Sequence, residues 1–331
     1  MPLLSQVIAL LISDVVGNDL QFLSSGPTVP DFTTPQQCLD LINRFGCIDE
    51  TPRSVLQVLE QKARQPEFKK EIVGHGENID FEQIVQKNQP SFPCTNVQNL
   101  IIGSNVIALE ACEHYARSLG YSAFQLSHTI VGDATERGQM FALLANYVCR
   151  SLSCKRGSDL NLVEAELDLV RCGISKSKIN ELRYLLEASY NLRKPVCILA
   201  AGETTVEVKG KGVGGRNQQM VLSAALGMHN LMKDNIMYEF AVTFLSGGTD
   251  GEDGPTDAAG AIADSHLVQR ALKNNLDLEL YMQNNDTYNF FAKVDMGRNL
   301  LKTGLTGTNV MDLQILLISH CNPEISAMCA M

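Results

Sequence analysis

Short apolar runs alternate with segments of helical periodicity along this 331-residue chain, and that alternation limits the fold more than any other feature. Val7–Ile12 and Pro195–Ala201 are typical of strands buried in a parallel sheet. Thr135–Leu152 carries its apolar residues at helical spacing. Strands that alternate with helices usually lie parallel, with the helices packed on the faces of the sheet. The pattern therefore predicts an α/β fold with mainly parallel strands.

The remaining elements follow from the same periodicity and from helix start and stop signals. Thr51–Pro52 indicates a helix start, and Ser265 is a plausible helix cap. The polar segment Glu67–Pro93 is expected to be exposed and mobile, and Lys155–Asp159 marks a boundary. We predict an N-terminal domain over 1–155, a helical connection over 156–194 and a C-terminal domain over 195–320. Further strands are predicted at Asn99–Gly103, Ser122–Leu126, Thr204–Val208, Glu239–Leu245 and Leu313–Ile318, and further helices at Gln36–Phe45, Ala108–Leu119, Leu160–Asn191, Asn217–Leu231 and Ser265–Leu272.

Composition argues against several classes of partner. The formal net charge is −10, so the chain has no general attraction for nucleic acids or anionic membranes. No apolar run approaches the ~20 residues that a membrane-spanning helix needs, and the N-terminal segment lacks the basic start of a signal peptide. The ten cysteines form no CxxC pair, which makes a zinc site improbable and predicts buried, reduced thiols. We expect a cytoplasmic protein that binds neither nucleic acid nor membrane.

A glycine-rich loop, Gly210–Gly215, precedes a predicted helix. Its glycines satisfy GxGxxG, the pattern of a dinucleotide-binding turn. However, the acidic residue expected after the next strand is replaced by Lys233–Asp234–Asn235, which precedes that strand. Arg216 follows the glycines and suits a phosphate or a carboxylate, and free amides at a helix start also attract anions. An anion site, a tight hairpin with a solvated arginine and a nicotinamide-binding oxidoreductase all remain open.

A second glycine-rich loop, Ser246–Asp257, carries four acidic residues within eight positions: Asp250, Glu252, Asp253 and Asp257. It follows a predicted strand, at the kind of edge where α/β sheets bind ligands. Carboxylates there can hold Mg²⁺ or accept a proton from a substrate hydroxyl group. An acidic surface turn is the alternative.

A third segment, Thr303–Asn309, combines glycines with threonines and is followed by Asp312. Successive amides in such a segment can form a concave anion nest, although a β-turn with capping hydroxyls fits equally well. Asn284–Thr287 is a weaker polar cluster that is more often a helix cap. Ser13–Asp14 comes at the end of a predicted strand, where it could line a cleft or simply end the strand.

Three long motifs in this half resemble the class II glycerate kinase family, whose C-terminal module is called MOFRL. They are AGETTVEVKGKGVGGRNQ, LSGGTDGEDGPTDAAGA and KTGLTGTNVMDLQ, and SDVVGNDLQFLSSGPTVPD extends the likeness into the first half. The resemblance implies two α/β domains with the site in the cleft between them. It also implies phosphorylation of D-glycerate by ATP with Mg²⁺, with the 2-hydroxyl group as the expected acceptor.

The resemblance also implies roles for individual residues. Arg216 would hold the glycerate carboxylate or the transferring phosphoryl group. Asp250 would orient the hydroxyl group or the metal, with Asp253 as its support and second candidate metal ligand. Substrate or nucleotide would bind to Gly214, Gly215, Asn217, Ser246, Gly247, Gly248, Thr249, Thr306, Gly307, Thr308 and Asn309.

The chain departs from the family pattern at its N-terminus. Family members carry a longer region before Val7–Ile12, including a Gly-Lys-Ala segment with a functionally important lysine and a Ser-Gly-Gly-Gly-Ser loop, and neither occurs here. We therefore expect an N-terminally shortened form with an incomplete first domain. The alternative to an active kinase is a catalytically impaired module that binds a nucleotide or a small acid, or associates with another copy. A longer form could be mitochondrial.

Overall fold

The structure, a computed structural model, describes residues 6–30, 33–65, 96–153, 161–231 and 236–321. The predicted segments Glu67–Pro93 and Lys155–Asp159 lie outside the described residues. The strands are β1 (Val7–Ile12), β2 (Val97–Gly103), β3 (Ser122–Ile130), β4 (Val196–Gly202), β5 (Phe240–Gly248), β6 (Gly260–Asp264), β7 (Leu300–Leu301) and β8 (Asp312–His320).

The helices begin and end close to the predicted limits in most cases. Thr34 starts the first one, because its hydroxyl accepts from the amide of Gln37 while the Gln37 side chain accepts from the amide of Thr34. The helices are α1 (Pro35–Arg44), α2 (Arg53–Ala63), α3 (Asn105–Ser118), α4 (Ala134–Ser153), α5 (Asn161–Arg171), α6 (Lys176–Leu192), α7 (Arg216–Leu231), α8 (Leu267–Lys273), α9 (Leu278–Gln283) and α10 (Thr287–Lys293).

The strands form two sheets, one of β1 and β2 and one of six strands in the order β3-β4-β8-β5-β6-β7. In the larger sheet only β3 and β4 are parallel, and β8 lies antiparallel between β4 and β5. The α/β class is confirmed, but the prediction of mainly parallel strands is wrong for this sheet. A helix-free loop, residues 249–259, joins β5 to β6, and so short a connection favours antiparallel neighbours.

The register of the larger sheet aligns the ends of three strands at one edge. Asp312, the first residue of β8, lies opposite Gly202, the last of β4, and opposite Gly248, the last of β5. The main hydrophobic core lies between the sheet and helices α4 and α7. Phe141 of α4, for example, packs against Phe244 of β5 with ring centroids 4.5 Å apart. This core fixes the start of α7 beside the aligned edge.

Contacts divide the chain into two compact units, one of Met1–Ala9 and Leu20–Asn99 and the other of Leu10–Asp19 and Leu100–Met331. The second unit contains the six-stranded sheet and its helices. The predicted division at residues 155 and 194 stays a prediction.

Several predicted elements differ from the structure. Thr204–Val208 is not a strand, because only Thr205 makes a bridge, to Asp133. The predicted helix Leu160–Asn191 is interrupted between α5 and α6, where Gly173 has φ +93° and ends the first helix. Ser265 does not cap α8, whose N-cap is His266.

Strand β1 has the predicted bounds but not the predicted burial. Ile8 and Leu10 are 57% and 62% exposed, because β1 lies in a two-stranded sheet rather than between neighbours in a larger one. The prediction of buried cysteines holds for Cys149 and Cys197, while the other described cysteines are partly exposed and all are free thiols. Within the described ranges, no helix is both long and apolar enough to cross a bilayer.

Candidate active site at the strand edge

Arg216 opens helix α7 and points its guanidinium group at the aligned strand edge. Its Nε and Nη2 atoms donate to the two carboxylate oxygens of Asp312, at 2.7 and 2.8 Å. Nη2 also lies 3.2 Å from Oε1 of Glu203, just after β4. Across the described ranges, Nη1 has no protein acceptor. The arrangement holds the guanidinium on two sides and leaves one edge available to an anion.

The charges around Arg216 keep it protonated. Burial alone would lower the pKa of Arg216, but its hydrogen bonds to Asp312 and the charges of Asp312 and Glu203 raise it, and the net shift is upward. The pKa of Glu203 is also raised, first by burial. Arg216 opposes that shift, and the negative charges of Asp312, Asp14 and Asp250 add to it. The predicted strand-end residue Asp14 therefore acts electrostatically on this site.

Asp253 occupies the start of helix α7. Its Oδ1 accepts from the backbone amide and the side chain of Asn217, at 3.0 and 3.2 Å, and its Oδ2 accepts from the amide of Gln218 at 2.9 Å. Asp253 is completely buried, and this burial raises the pKa of its carboxyl group to about 6. The helix start that the sequence offered to an external anion is thus already filled by a carboxylate of the protein.

The glycine loop before Arg216 is fastened to a second loop of the protein. The side-chain oxygen of Asn285 accepts from the amides of Lys209 and Gly210, at 2.7 and 3.1 Å. The Asp286 carboxylate accepts from the amide of Val213 at 2.9 Å. These amides face the protein, so they do not form a phosphate cradle. The polar cluster Asn284–Thr287, predicted to be a helix cap, is the support of the glycine loop.

The glycines of this loop permit close packing. A Cβ atom on Gly212 would overlap the Cβ of Asp286, and one on Gly215 would overlap the carboxyl group of Asp253. Gly214 likewise has no room for a side chain, because Thr287 lies against it. At the predicted binding residues Gly214 and Gly215, the space that a side chain would need is therefore filled by other residues of the protein.

The acidic loop and the third predicted segment are bonded to each other. The Thr306 hydroxyl donates to the carbonyl of Thr249 at 2.6 Å, and the Thr306 amide donates to the carbonyl of Asp250 at 3.1 Å. The Thr249 amide and hydroxyl both donate to the carbonyl of Met311, at 3.0 and 2.7 Å. Two loops that lie far apart in sequence therefore form one structure at the strand edge.

Some polar groups of these loops remain open to a ligand. Thr306, Gly307, Thr308 and Asn309 are all exposed, and within the described part of the chain the amides of Gly307 and Asn309 have no acceptor. Gly307 has φ +77°, a conformation that favours glycine. These two amides are the donors that best fit the predicted anion nest.

Other predicted residues support the site from below. The Ser246 hydroxyl donates to the side-chain oxygen of Asn217 at 2.5 Å, and both residues are fully buried. The Gly248 amide donates to the carbonyl of Ala259 at 2.8 Å, and Gly247 lies within β5. The Ser246–Asn217 hydrogen bond holds α7 against β5, and the Ser246 hydroxyl and the Gly248 amide are already used as donors.

Asp250, predicted from the sequence as a candidate metal ligand, is half-buried. Its Oδ1 accepts from the amide of Glu252 at 3.0 Å, and within the described ranges Oδ2 has no partner. The described residues contain no group of three histidine, cysteine or acidic side chains arranged to hold a metal. A Mg²⁺ ion that is bound mainly by nucleotide phosphates and water needs only one or two carboxylates, and Asp250 fits that requirement.

Asp257, the last acidic residue of the loop, lies in a surface cluster instead. Its carboxylate accepts from the hydroxyl of Tyr288 at 2.7 Å and pairs with Lys302 at 2.9 Å. Lys302 also contacts the Tyr288 hydroxyl at 2.9 Å. The hydrogen bonds to Tyr288 and Lys302 lower the pKa of Asp257, and the cluster fastens the far end of the acidic loop to helix α10.

Sequence reasoning missed the two acidic partners of Arg216. In the sequence, Asp312 simply follows the third segment and Glu203 lies inside the first long motif, with no pattern that links either residue to Arg216. A signal for Asp312 was present, because it begins an apolar strand whose buried face has no other charge. A carboxylate in that position needs a buried partner, but its distance of 96 residues from Arg216 hides which partner that is.

The comparisons with known proteins agree with the motifs. Residues 196–312 match the MOFRL family, and residues 3–60 match a domain of unknown function, DUF4147. The chain is 38% identical over 315 residues to glycerate kinase of Rattus norvegicus, covering 95% of this chain and 55% of that protein. It is 37% identical over 321 residues to glycerate kinase of Macaca fascicularis, covering 95% and 72%.

A solved structure shows the same likeness in three dimensions. The crystal structure of glycerate kinase from Thermotoga maritima superimposes with a TM-score of 0.62 at 29% sequence identity, covering 95% of this chain and 57% of that one. The chain thus spans little more than half the length of the rat relative and of this structure.

Proposed function

This chain belongs to the glycerate kinase family, and from that membership we propose that it transfers the terminal phosphoryl group of ATP to the 2-hydroxyl group of D-glycerate. The observation that carries the proposal is the guanidinium of Arg216, fixed by Asp312 and Glu203 with Nη1 left open at the strand edge. Phosphoryl transfer depends mainly on positioning and charge neutralisation, and a fixed cation supplies both.

Arg216 binds the anionic part of the substrates in this proposal. Its open edge holds either the glycerate carboxylate or the transferring phosphoryl group, since both present paired oxygens to a guanidinium. The free amides of Gly307 and Asn309 bind phosphate oxygens of ATP. Asp312 positions the guanidinium from the buried side, and Glu203 lies beside its open edge.

Asp250 is the proposed partner of the glycerate hydroxyl group or of Mg²⁺. Its partly exposed carboxylate has one oxygen without a protein partner, which suits either role. Mg²⁺ would neutralise phosphate charge when bound with ATP. We leave Asp253 out of the metal site, because both of its oxygens accept from helix α7. Asn217, Ser246, Thr249 and Thr306 hold the loops in place.

The test is ADP release coupled to D-glycerate and Mg²⁺, measured on this chain. We expect glycerate-dependent turnover that R216A abolishes in protein that circular dichroism shows to be folded. R216A should unfold more easily than D257N, a variant of the surface cluster, because it leaves the buried Asp312 carboxylate without its cation. Turnover that persists in folded R216A contradicts the role of Arg216. Product analysis by ³¹P NMR distinguishes 2-phosphoglycerate from 3-phosphoglycerate.

A binding module without turnover is the second candidate, because Arg216 with its open Nη1 and the free amides of Gly307 and Asn309 are sufficient for anion binding alone. In that case ATP raises the melting temperature of the chain, and no ADP appears with D-glycerate.

We also propose a cytoplasmic location. The cysteines that the structure describes are free thiols, the state maintained in a reducing compartment. Cell fractionation followed by immunodetection tests this directly, and recovery with mitochondria contradicts it.

A further inference from the structure

Glu203 contacts Arg216 at the surface of the site, unlike the other acidic partner. Its side chain is 42% exposed, whereas that of Asp312 is completely buried. Asp312 makes two short hydrogen bonds to the guanidinium, while Glu203 makes a single contact of 3.2 Å to Nη2. Asp312 is thus a buried structural partner of Arg216. Glu203 lies at the solvent-exposed side of the guanidinium, next to where an incoming anion would bind.

Charged groups of both signs act on Glu203. Asp312 at the start of β8, Asp14 after β1 and Asp250 after β5 all act on it, and Arg216 at the start of α7 is the cation that opposes them. Burial and these carboxylates together raise the pKa of Glu203 above its ordinary value. Glu203 therefore accepts a proton more readily than an isolated surface glutamate does.

An anion bound at the open edge of Arg216 should raise the pKa of Glu203 further. It brings further negative charge next to Glu203 and competes for the positive charge of Arg216, and both effects favour the neutral form of the glutamate. We propose that Glu203 takes up one proton from solvent when an anion binds to Arg216, and that this residue thereby sets how strongly the site accepts anions at a given pH. The carboxylate becomes a carboxylic acid and no other bond changes.

This inference rests on the part of the proposed function that makes Arg216 an anion ligand, and on nothing in the transfer step. By linkage, uptake of a full proton makes anion affinity rise up to tenfold for each unit by which the pH falls. Replacement of Glu203 by glutamine keeps the shape and an oxygen facing Nη2 but removes the charge. That change should make anion binding tighter at neutral pH and nearly independent of pH.

The experiment is isothermal titration calorimetry with sulfate, an anion that does not itself titrate near neutral pH. Measurements at pH 7 in two buffers with different ionisation enthalpies give the number of protons taken up. For the unaltered chain we expect fractional proton uptake at pH 7, which increases when the titration is repeated at lower pH. For E203Q we expect almost none, together with about tenfold tighter sulfate binding. The matched control is E207Q, at an exposed glutamate paired with Lys209, which should behave as the unaltered chain does.

R216M should lose sulfate binding, which assigns the signal to this site. Three results overturn the inference: no proton uptake by the unaltered chain, equal uptake by E203Q, or no sulfate binding at all. The fate of the proposed function is read separately from ADP release. A chain that shows Glu203-dependent proton uptake but no turnover retains the inference and loses the kinase proposal.

Discussion

Asp312 accepts two hydrogen bonds from Arg216, at 2.7 and 2.8 Å, across 96 residues of chain. Arg216 is the first residue of helix α7, and Asp312 is the first residue of the strand β8 that lies in the middle of the large sheet. The pair joins a helix start to the strand edge and decides where the guanidinium points.

Loss of the Asp312 charge should destabilise the fold. In D312N the amide cannot accept both guanidinium hydrogen bonds, and Arg216 keeps a partly buried charge with one acidic partner. We expect the free energy of unfolding to fall by about 2–4 kcal/mol, near the lower end for a broken buried pair because Arg216 retains some exposure. Urea denaturation followed by circular dichroism measures it. D257N breaks an exposed ion pair with Lys302 and should cost much less stability than D312N. Equal losses would contradict the burial argument.

The stability of the chain should depend on pH through Asp253. Its pKa is about 6 in the folded state, above the ordinary value of 3.8, so the folded chain binds this proton more tightly than the unfolded chain does. The stabilisation from that proton is complete below pH 4 and is lost as the pH rises to about 6. Relative to D253N, the unaltered chain should lose on the order of 2–3 kcal/mol of unfolding free energy between pH 4 and pH 7. Parallel pH profiles for the two proteins would refute the assignment.

Gly212 should tolerate no side chain, since a Cβ atom there would meet the Cβ and Cα of Asp286. We expect G212A to lose about 1–3 kcal/mol of unfolding free energy, measured by urea denaturation. The control is G103A in β2, where a Cβ atom would make only ordinary contacts with Ile12. If G212A keeps full stability but loses ATP binding, then the glycine loop is a ligand cradle and not a packed support.

Removal of the Asn285 side chain should free the glycine loop. N285A leaves the amides of Lys209 and Gly210 without their acceptor, and alanine is also strained at the φ of +53° found there. Hydrogen–deuterium exchange of these two amides should become at least tenfold faster. N285D keeps an acceptor oxygen and tolerates this φ, so its exchange should stay close to that of the unaltered chain. Unchanged exchange in N285A would show that another group holds the loop.

The sequence predicted strands well where apolar runs were short and bounded. Val7–Ile12 has the predicted limits, and Pro195–Ala201 shifts by one residue, because the apolar period is a local property. The position of β8 between β4 and β5 could not be predicted in this way, since periodicity does not specify neighbours or direction. Thr204–Val208 alternates polar and apolar residues as a strand does. It follows the end of β4, however, and makes only one bridge, between Thr205 and Asp133.

The sequence predicted which loops form the candidate site, but not which of their residues contact each other. The three motifs do meet at one strand edge, around Arg216. Whether a glycine-loop amide faces a ligand or a side chain such as Asn285 depends on tertiary contacts more than 70 residues away. Asp253 illustrates the same limit, because its spacing fits a metal ligand while its surroundings make it the cap of helix α7.

The alignment of Asp312 with Gly202 and Gly248 has a consequence for how the chain folds. A slip of β8 by one residue would turn Asp312 to the opposite face of the sheet. Its charge would then be unpaired, and Arg216 would keep only its contact with Glu203. Misaligned sheets are therefore penalised by the same ion pair that orients the guanidinium. The Arg216–Asp312 ion pair therefore forms only when β8 pairs with β4 and β5 in the observed register, and it favours that register over shifted ones.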